Sequence, residues 1–192
     1  MKEKLHGGDM YKEFLETFIL VFVAEIGDKT QLMLMTLATK YTIFQMLVGI
    51  LAGVALNHGA AVFIGCYISN IAEDYLLKIF AGVIFIIFGI ITIIYEDEEK
   101  QARYFNLGPV VTTALTFFLG EMGDKTQLMC MTLSMESNYP AIVLTGSVTA
   151  MLAVGFVGII IGTSLTKYIP SYIIKTISGL IFIIFGIMRL LS

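Results

Sequence analysis

Six apolar runs, each about as long as a membrane-spanning helix, occupy most of this 192-residue sequence. A bilayer core about 30 Å thick needs about 20 helical residues to cross it. Hydrophobic residues make up 57% of the chain and charged residues only 14%, which is too few for the surface of a soluble domain of this size. The first run is too long for a cleaved signal peptide. The sequence therefore predicts an all-α integral membrane protein with six transmembrane helices. The predicted spans are Glu13–Ala38, Ile43–Ile71, Tyr75–Tyr95, Val110–Met135, Ala141–Leu165 and Tyr172–Leu191.

The two halves of the chain are related by a duplication. The stretch "AEIGDKTQLMLMTL" at Ala24 and the stretch "GEMGDKTQLMCMTL" at Gly120 agree at eleven of fourteen positions, with an offset of 96. The segments that begin at Tyr75 and Tyr172 also match, with an offset of 97. Because each copy holds an odd number of spans, the second copy would enter the membrane from the opposite side, as in many secondary transporters. We therefore expect two inverted three-helix repeats, residues 1–95 and 109–192, joined by an acidic linker at 96–108.

The duplicated stretch places ionisable side chains inside apolar spans, where each costs between ~3 and more than 10 kcal/mol. On one continuous helix, the two acids and the glutamine of each copy would be spaced i, i+3 and i+6 and would share a face. Two such faces brought together offer four carboxylates and two amide oxygens, without a histidine or a thiolate. This ligand set suits Ca²⁺, Mn²⁺ or Mg²⁺ better than Zn²⁺ or Cu⁺. The predicted metal ligands are Glu25, Asp28, Gln31, Glu121, Asp124 and Gln127.

The charge of the two motifs indicates how such an ion would be exchanged. Each motif has two acids and one lysine, Lys29 or Lys125, so the pair sums to −2 and one divalent cation neutralises it. Protons that replace the metal on these clustered carboxylates would give proton-coupled antiport. Ammonium groups have no lone pair, so the lysines are expected to be countercharges rather than ligands. Gly27 and Gly123, between the acids, allow either close helix packing or a local break of the helix.

The residues alone leave other interpretations open. Glu25 and Lys29 are spaced i, i+4 and could simply neutralise one another. A cation channel would use the same oxygen ligands without obligatory countertransport. An intramembrane aspartyl protease would use Asp28 and Asp124 as its dyad, but a dyad needs neither the neighbouring glutamates nor the repeated frame. An antiporter accounts for all of these features, so we favour it over an enzyme.

Asn57 and His58 are polar residues near the middle of the second predicted span. With an offset of 96, their counterparts are Ala153 and Val154, so the repeat does not preserve them. His58 could relay protons. A neutral, hydrogen-bonded packing role is the interpretation that we favour from sequence.

The two copies of Glu-x-Gly-Asp-Lys-Thr, at Glu25–Thr30 and Glu121–Thr126, resemble the signature of the GDT-type cation antiporters. That family carries the pattern Glu, hydrophobic, Gly, Asp, Lys or Arg, Ser or Thr once in each half, and both copies here satisfy every position. Six spans in two halves and an acidic central loop are similar to the family as well. The resemblance therefore covers nearly the whole chain.

The resemblance implies export of Mn²⁺ or Ca²⁺ from the cytoplasm in exchange for protons. It also implies that Glu25, Asp28, Glu121 and Asp124 bind the cation and that the central loop is cytoplasmic. The expected partners are divalent metal ions, protons and the lipid bilayer, with no nucleic acid and no prosthetic group; homodimerisation stays open. The shortness of the chain and the lack of an obvious targeting extension favour the plasma membrane of a prokaryote.

Overall fold

A computed structural model of the chain describes residues 7–26, 29–94, 107–168 and 171–191. These residues form eight α-helices and their short connections. Residues 96–106 of the acidic linker and Asp28 lie outside the described residues. The helices are α1 (Gly7–Glu25), α2 (Lys29–Ala38), α3 (Ile43–Ser69), α4 (Asp74–Ile94), α5 (Pro109–Gly120), α6 (Lys125–Glu136), α7 (Pro140–Tyr168) and α8 (Ser171–Leu191).

Four of the described helices, α3, α4, α7 and α8, are long and apolar enough to cross a membrane. They coincide with the second, third, fifth and sixth predicted spans. α5 is a shorter apolar helix. The all-helical prediction is confirmed.

Of the two alternatives at the motif glycines, close helix packing or a local break of the helix, the structure has the break in the second copy. α1 ends at Glu25 and α2 begins at Lys29, while α5 ends at Gly120 and α6 begins at Lys125. Each motif therefore lies where one helix ends and the next begins. The physical reason is visible in the second copy, where Gly123 has φ of +75°, a left-handed conformation that no helix interior permits.

α4 and α8 cross as an antiparallel pair through four glycines. A Cβ on Gly82 would lie 2.9 Å from the carbonyl oxygen of Gly186, and a Cβ on Gly89 would lie 2.5 Å from that of Gly179. Small residues of this kind let transmembrane helix backbones approach closely. The Phe85 ring lies against this crossing, 4.7 Å between centroids from Phe185 in an edge-on arrangement.

Several of the other helix contacts have a counterpart when the halves are exchanged, including α3 with α5 and α7 with α1. A Cβ on Gly49 of α3 would lie 2.8 Å from the Val110 oxygen of α5, and its counterpart on Gly146 of α7 would lie 3.0 Å from the Phe14 oxygen of α1. From its N-terminus to its C-terminus, α3 contacts first α5 and then α6. In the contact with α6, Ser134 Oγ donates to the Val62 carbonyl at 3.3 Å. The broken pair α5–α6 therefore runs beside the unbroken α3.

Large apolar side chains cover the outside of the bundle. On α4 and α8 the exposed ones include Ile87, Ile91, Leu180 and Ile184. Soluble monomers rarely expose contiguous apolar surface of this extent. The outer surface of these helices is thus suited to lipid.

Candidate cation site

In the second half, the break between α5 and α6 is held by backbone hydrogen bonds. The Glu121 N–H donates to the Phe117 carbonyl at 2.9 Å, which closes the last turn of α5. The Asp124 N–H donates to the Glu121 carbonyl at 3.1 Å, and Gly123 turns the chain between them. Asp124 then begins α6 from an extended conformation, φ −79° and ψ 167°. Because of this turn, Glu121 and Asp124 do not lie in one continuous helix.

Asp124 occupies the N-cap position of α6, where an aspartate would ordinarily accept from the first backbone N–H groups. Its side chain makes no such capping bond. The side chain of Gln127 supports the turn instead, since its Oε1 accepts from the Gly123 N–H at 2.6 Å. The Gln127 Nε2 donates to the Asn57 carbonyl at 3.4 Å, which ties the turn to α3. The carboxylate of Asp124 is thereby left for other interactions.

In the first half, Glu25 is the last residue of α1 and is fully buried. The Ile26 N–H donates to the Phe22 carbonyl at 3.0 Å, so the turn of α1 is complete at this point. Asp28 falls outside the described residues, and Gln31 is placed only by its backbone in α2. The described part of the first motif therefore contributes Glu25 alone.

The carboxylates of the two motifs meet. One oxygen each from Glu25, Glu121 and Asp124 lies within 4.8 Å of the other two. Glu121 is also fully buried, and Asp124 is half-buried. Oxygen ligands of Ca²⁺ lie at about 2.3–2.6 Å, so two ligands on opposite sides of one ion are about 5 Å apart. The spacing of these three oxygens is one that a single divalent cation can span.

The helix ends add to this electrostatic pattern. α1 ends at Glu25 and α5 ends beside Glu121, so two helix C-termini are directed at the cluster. A helix C-terminus carries about half a negative charge, which favours a cation near it, whereas the N-terminus of α6, directly after Asp124, carries about half a positive charge and favours that carboxylate. Broken helices whose ends line a buried ion site are a recurring device of membrane transporters.

The predicted ligands are thus placed unequally. Glu25, Glu121 and Asp124 come together, across the two halves, as the duplication suggested. Gln127 is engaged at the turn through both ends of its amide, so its role as a ligand stays a prediction. The same holds for Asp28 and Gln31.

α3 brings two further polar residues to the α5–α6 break. Asn57 is fully buried, and its Nδ2 donates to the Phe118 carbonyl at 3.0 Å. His58, the next residue of α3, is also fully buried. Sequence reasoning set them aside because the repeat does not preserve them. The paired contacts of Gly49 and Gly146 give α3 and α7 an offset of 97, which makes Val154 and Gly155 the counterparts instead of Ala153 and Val154.

A second polar cluster closes one end of the bundle and was not predicted. Arg189, at the end of α8, pairs with Glu16 of α1, and its Nε lies 3.1 Å from Glu136 Oε2 at the end of α6. The Arg189 guanidinium also lies 4.8 Å from the centre of the Phe185 ring. Glu13 accepts from the Ser137 hydroxyl and, at 3.3 Å, from the Asn138 N–H. These residues line a cavity of about 230 Å³ at this mouth.

Comparison with known families identifies the family of the chain. The profile described as "Divalent cation/proton antiporter GDT1" matches residues 13–100 and 109–192. The chain belongs to this family. The family is one of transporters, so the chain is a membrane antiporter of this class and not an enzyme.

Individual relatives agree with the family assignment. A Vibrio cholerae protein named "Putative manganese exporter" is 26% identical over 169 residues, which cover 87% of this chain and 84% of that protein. A GDT1-like protein of Schizosaccharomyces pombe is 37% identical over 82 residues, 43% of this chain and 31% of the relative. GDT1-like protein 5 of Oryza sativa is 25% identical over 219 residues, 93% of this chain and 94% of the relative. No solved structure matches the chain.

Proposed function

We propose that this chain exports Mn²⁺ or Ca²⁺ across a membrane in exchange for protons, through one site formed by the two repeated motifs. The proposed ligands are Glu25, Asp28, Glu121 and Asp124, with Gln31 and Gln127 completing the oxygen set. The observation that carries the proposal is the convergence of Glu25, Glu121 and Asp124 within 4.8 Å. Burying three like charges together is costly unless a cation or protons neutralise them.

The alternation of cation and protons follows from the charge of the site. Four carboxylates and the lysines of the two motifs sum to −2, which one divalent cation neutralises. Two protons neutralise the same site. Either occupied form can therefore be buried without net charge, whereas the empty ionised form is disfavoured. Obligatory exchange, which distinguishes an antiporter from a channel, depends on this difference.

The proposed architecture has six crossings in two inverted repeats, residues 1–95 and 109–192. α1–α2 and α5–α6 would each make one broken crossing. The antiparallel α4–α8 pair and the contacts that repeat on exchanging the halves support this arrangement. The site then lies near the middle of the membrane, between the repeats, where rocking of one repeat against the other exposes it to each side in turn.

The direction of transport rests on the resemblance to the family. With the central linker in the cytoplasm, six crossings place the end of the bundle that holds Arg189 on the opposite side of the membrane. An exported ion leaves from that side. The proposed membrane is the plasma membrane of a prokaryote. The manganese named for the Vibrio cholerae relative supports Mn²⁺ as a substrate.

Proteoliposomes that contain a pH-sensitive dye test this function. Mn²⁺, Ca²⁺ and Mg²⁺ are added in turn to vesicles with wild-type protein, Asp124→Asn or Glu73→Gln, a matched control at an exposed acid between α3 and α4. Wild type and Glu73→Gln should exchange Mn²⁺ or Ca²⁺ for protons, and Asp124→Asn should not. Cation flux without proton movement would indicate a channel and would refute the proposal.

A further inference from the structure

Asn57 of α3 is hydrogen-bonded to both sides of the break between α5 and α6. Its side-chain Nδ2 donates to the Phe118 carbonyl at 3.0 Å, three residues before Glu121. Its main-chain carbonyl accepts from Gln127 Nε2 at 3.4 Å, and Gln127 Oε1 accepts from the Gly123 N–H at 2.6 Å. One residue of α3 is therefore joined to the end of α5 and, through the glutamine, to the turn that follows.

The Phe118 carbonyl belongs to the last turn of α5, where helix carbonyls lose their usual donors. A helix leaves its last four carbonyls without an intrahelical partner, and the donor must then come from elsewhere. The side chain of Asn57, which is fully buried, supplies that donor from α3. Because a carbonyl only accepts, the group that faces it is the amide nitrogen. An apolar residue at position 57 would remove this donor.

In the first half, a side-chain donor comes from a different helix. The Val23 carbonyl, near the end of α1, accepts from the Ser178 hydroxyl of α8 at 2.7 Å. The position on α7 that corresponds to Asn57 is Val154, which has no side-chain donor. Each motif is thus reached by a donor from the opposite half of the chain, and the amide on α3 serves the second motif.

The break that Asn57 contacts determines where two of the three clustered acids lie. The Asp124 N–H donates to the Glu121 carbonyl at 3.1 Å, and Gly123 lies between them with φ of +75°. A rotation at this turn would move both carboxylates relative to Glu25, which has an oxygen within 4.8 Å of theirs. Metal–ligand distances tolerate deviations of only about 0.2 Å. The geometry of the turn is therefore a condition for binding one cation between the two motifs.

We propose that Asn57 is a positioning residue for the cation site, which holds the α5–α6 break in the geometry that brings Glu121 and Asp124 to Glu25. It acts through these carboxylates and is not assigned as a ligand. Residues that orient metal ligands from outside the coordination sphere commonly contribute about 10–100-fold to metal affinity. This inference rests on the proposed function, because it assigns a role at the same site.

Two substitutions remove the amide and leave an apolar residue in its place. Asn57→Leu has similar bulk, and Asn57→Val introduces the residue found at the corresponding position of α7. Ser134→Ala is the matched control, because it removes a different hydrogen bond between α3 and α6, from Ser134 Oγ to the Val62 carbonyl at 3.3 Å. Thermal unfolding in detergent identifies the variants that are folded, and either Asn57 variant is sufficient for the test.

Hydrogen exchange of the metal-free protein tests the turn itself. In the Asn57 variants, the amides of Gly123 and Asp124 should exchange roughly tenfold faster than in wild type, because the end of α5 loses its partner on α3. The amide of Ile26, which is bonded within the first half, should not change. The control variant should match wild type at all three amides. If Asn57 only fills space, leucine leaves the exchange of Gly123 and Asp124 unchanged, and that result overturns the inference.

Calorimetric titration with Mn²⁺ gives the second readout. The affinity should fall at least about tenfold in the Asn57 variants, because the carboxylates of the second motif are no longer held in place. Ser134→Ala should keep the wild-type affinity. Unchanged affinity in a folded Asn57 variant overturns the inference even if the turn exchanges faster, because the turn would then not determine how the acids hold the cation.

The outcomes separate this inference from the proposed function. Wild-type protein that binds Mn²⁺ and exchanges it for protons, together with Asn57 variants that bind Mn²⁺ equally well, overturns the role of Asn57 and leaves the carboxylate site intact. Wild-type protein that binds no Mn²⁺ overturns the proposed function. In that case the exchange of the Gly123 and Asp124 amides still decides whether Asn57 holds the turn.

Discussion

Gly89→Ala tests the closest part of the α4–α8 crossing. A Cβ at this position would lie 2.5 Å from the Gly179 carbonyl oxygen and 2.6 Å from Ile183 Cγ1. Carbon–oxygen contacts between packed helices are normally no closer than about 3.3 Å, so the backbones would have to separate by roughly 0.8 Å. A backbone oxygen cannot rotate away as a side chain can. Overpacking of this kind costs about 1–3 kcal/mol, from which the preference of a helix for alanine returns about 0.5–1 kcal/mol.

The expected net loss of up to about 2.5 kcal/mol corresponds to a fall of up to roughly 10 °C in the unfolding temperature of a chain of this length. Thermal unfolding in detergent measures it. Gly59→Ala is the matched control, because a Cβ on this α3 glycine meets nothing within 4 Å. That variant should unfold at the wild-type temperature or above. The reasoning is refuted if Gly89→Ala unfolds at the same temperature as Gly59→Ala or at a higher one.

Two further substitutions test the turn at Gly123 and the polar cluster around Arg189. Gly123→Ala should cost about 1–2 kcal/mol of stability, because φ is +75° there and only backbone strain opposes the added Cβ, which meets nothing within 4 Å. Gly123→Asn should lose less, and equal stability of the alanine variant and wild type in thermal unfolding would contradict this. Arg189→Met should cost about 1–3 kcal/mol, because it removes the cationic partner of Glu136, whose side chain is only 8% exposed. Adding Glu136→Gln should restore part of that loss in a double-mutant cycle, and strictly additive losses would argue against the pairing.

The helices that could be predicted from sequence are those whose only requirement is a long apolar run. α3, α4, α7 and α8 begin and end within three residues of the predicted spans. Bilayer thickness fixes their length, and short polar joints mark their ends, so composition is sufficient. The glycines at 82, 89, 179 and 186 are visible as a pattern, but their mutual contact depends on how α4 and α8 cross.

The three acids that meet in the structure could be singled out from the sequence, whereas the backbone turn that presents Glu121 and Asp124 could not. A spacing of i, i+3 between Glu121 and Asp124 fits one helical face, but it also fits a C-cap followed by an N-cap around a glycine turn. Periodicity alone does not distinguish the two. The positive φ of Gly123 decides the matter in favour of the break.

The features that escaped sequence reasoning are those that break the internal symmetry. His58 is fully buried without an equivalent in the second half, and Arg189 pairs with Glu16 where the offset positions hold Thr92 and Thr112. Comparing the two copies of a repeat identifies the residues that both copies share. Residues that only one copy has are the ones that can make the two sides of a transporter differ.

The central claim is that acids from both halves bind one divalent cation. Calorimetric titration of purified protein with Mn²⁺ tests it most directly, using wild type, Glu25→Gln, Glu121→Gln and the exposed-acid control Glu73→Gln. Wild type and Glu73→Gln should bind one ion per chain, and either motif variant should lose at least about tenfold in affinity. If Glu25→Gln binds Mn²⁺ as tightly as wild type, the first half contributes nothing to the site and the account is wrong.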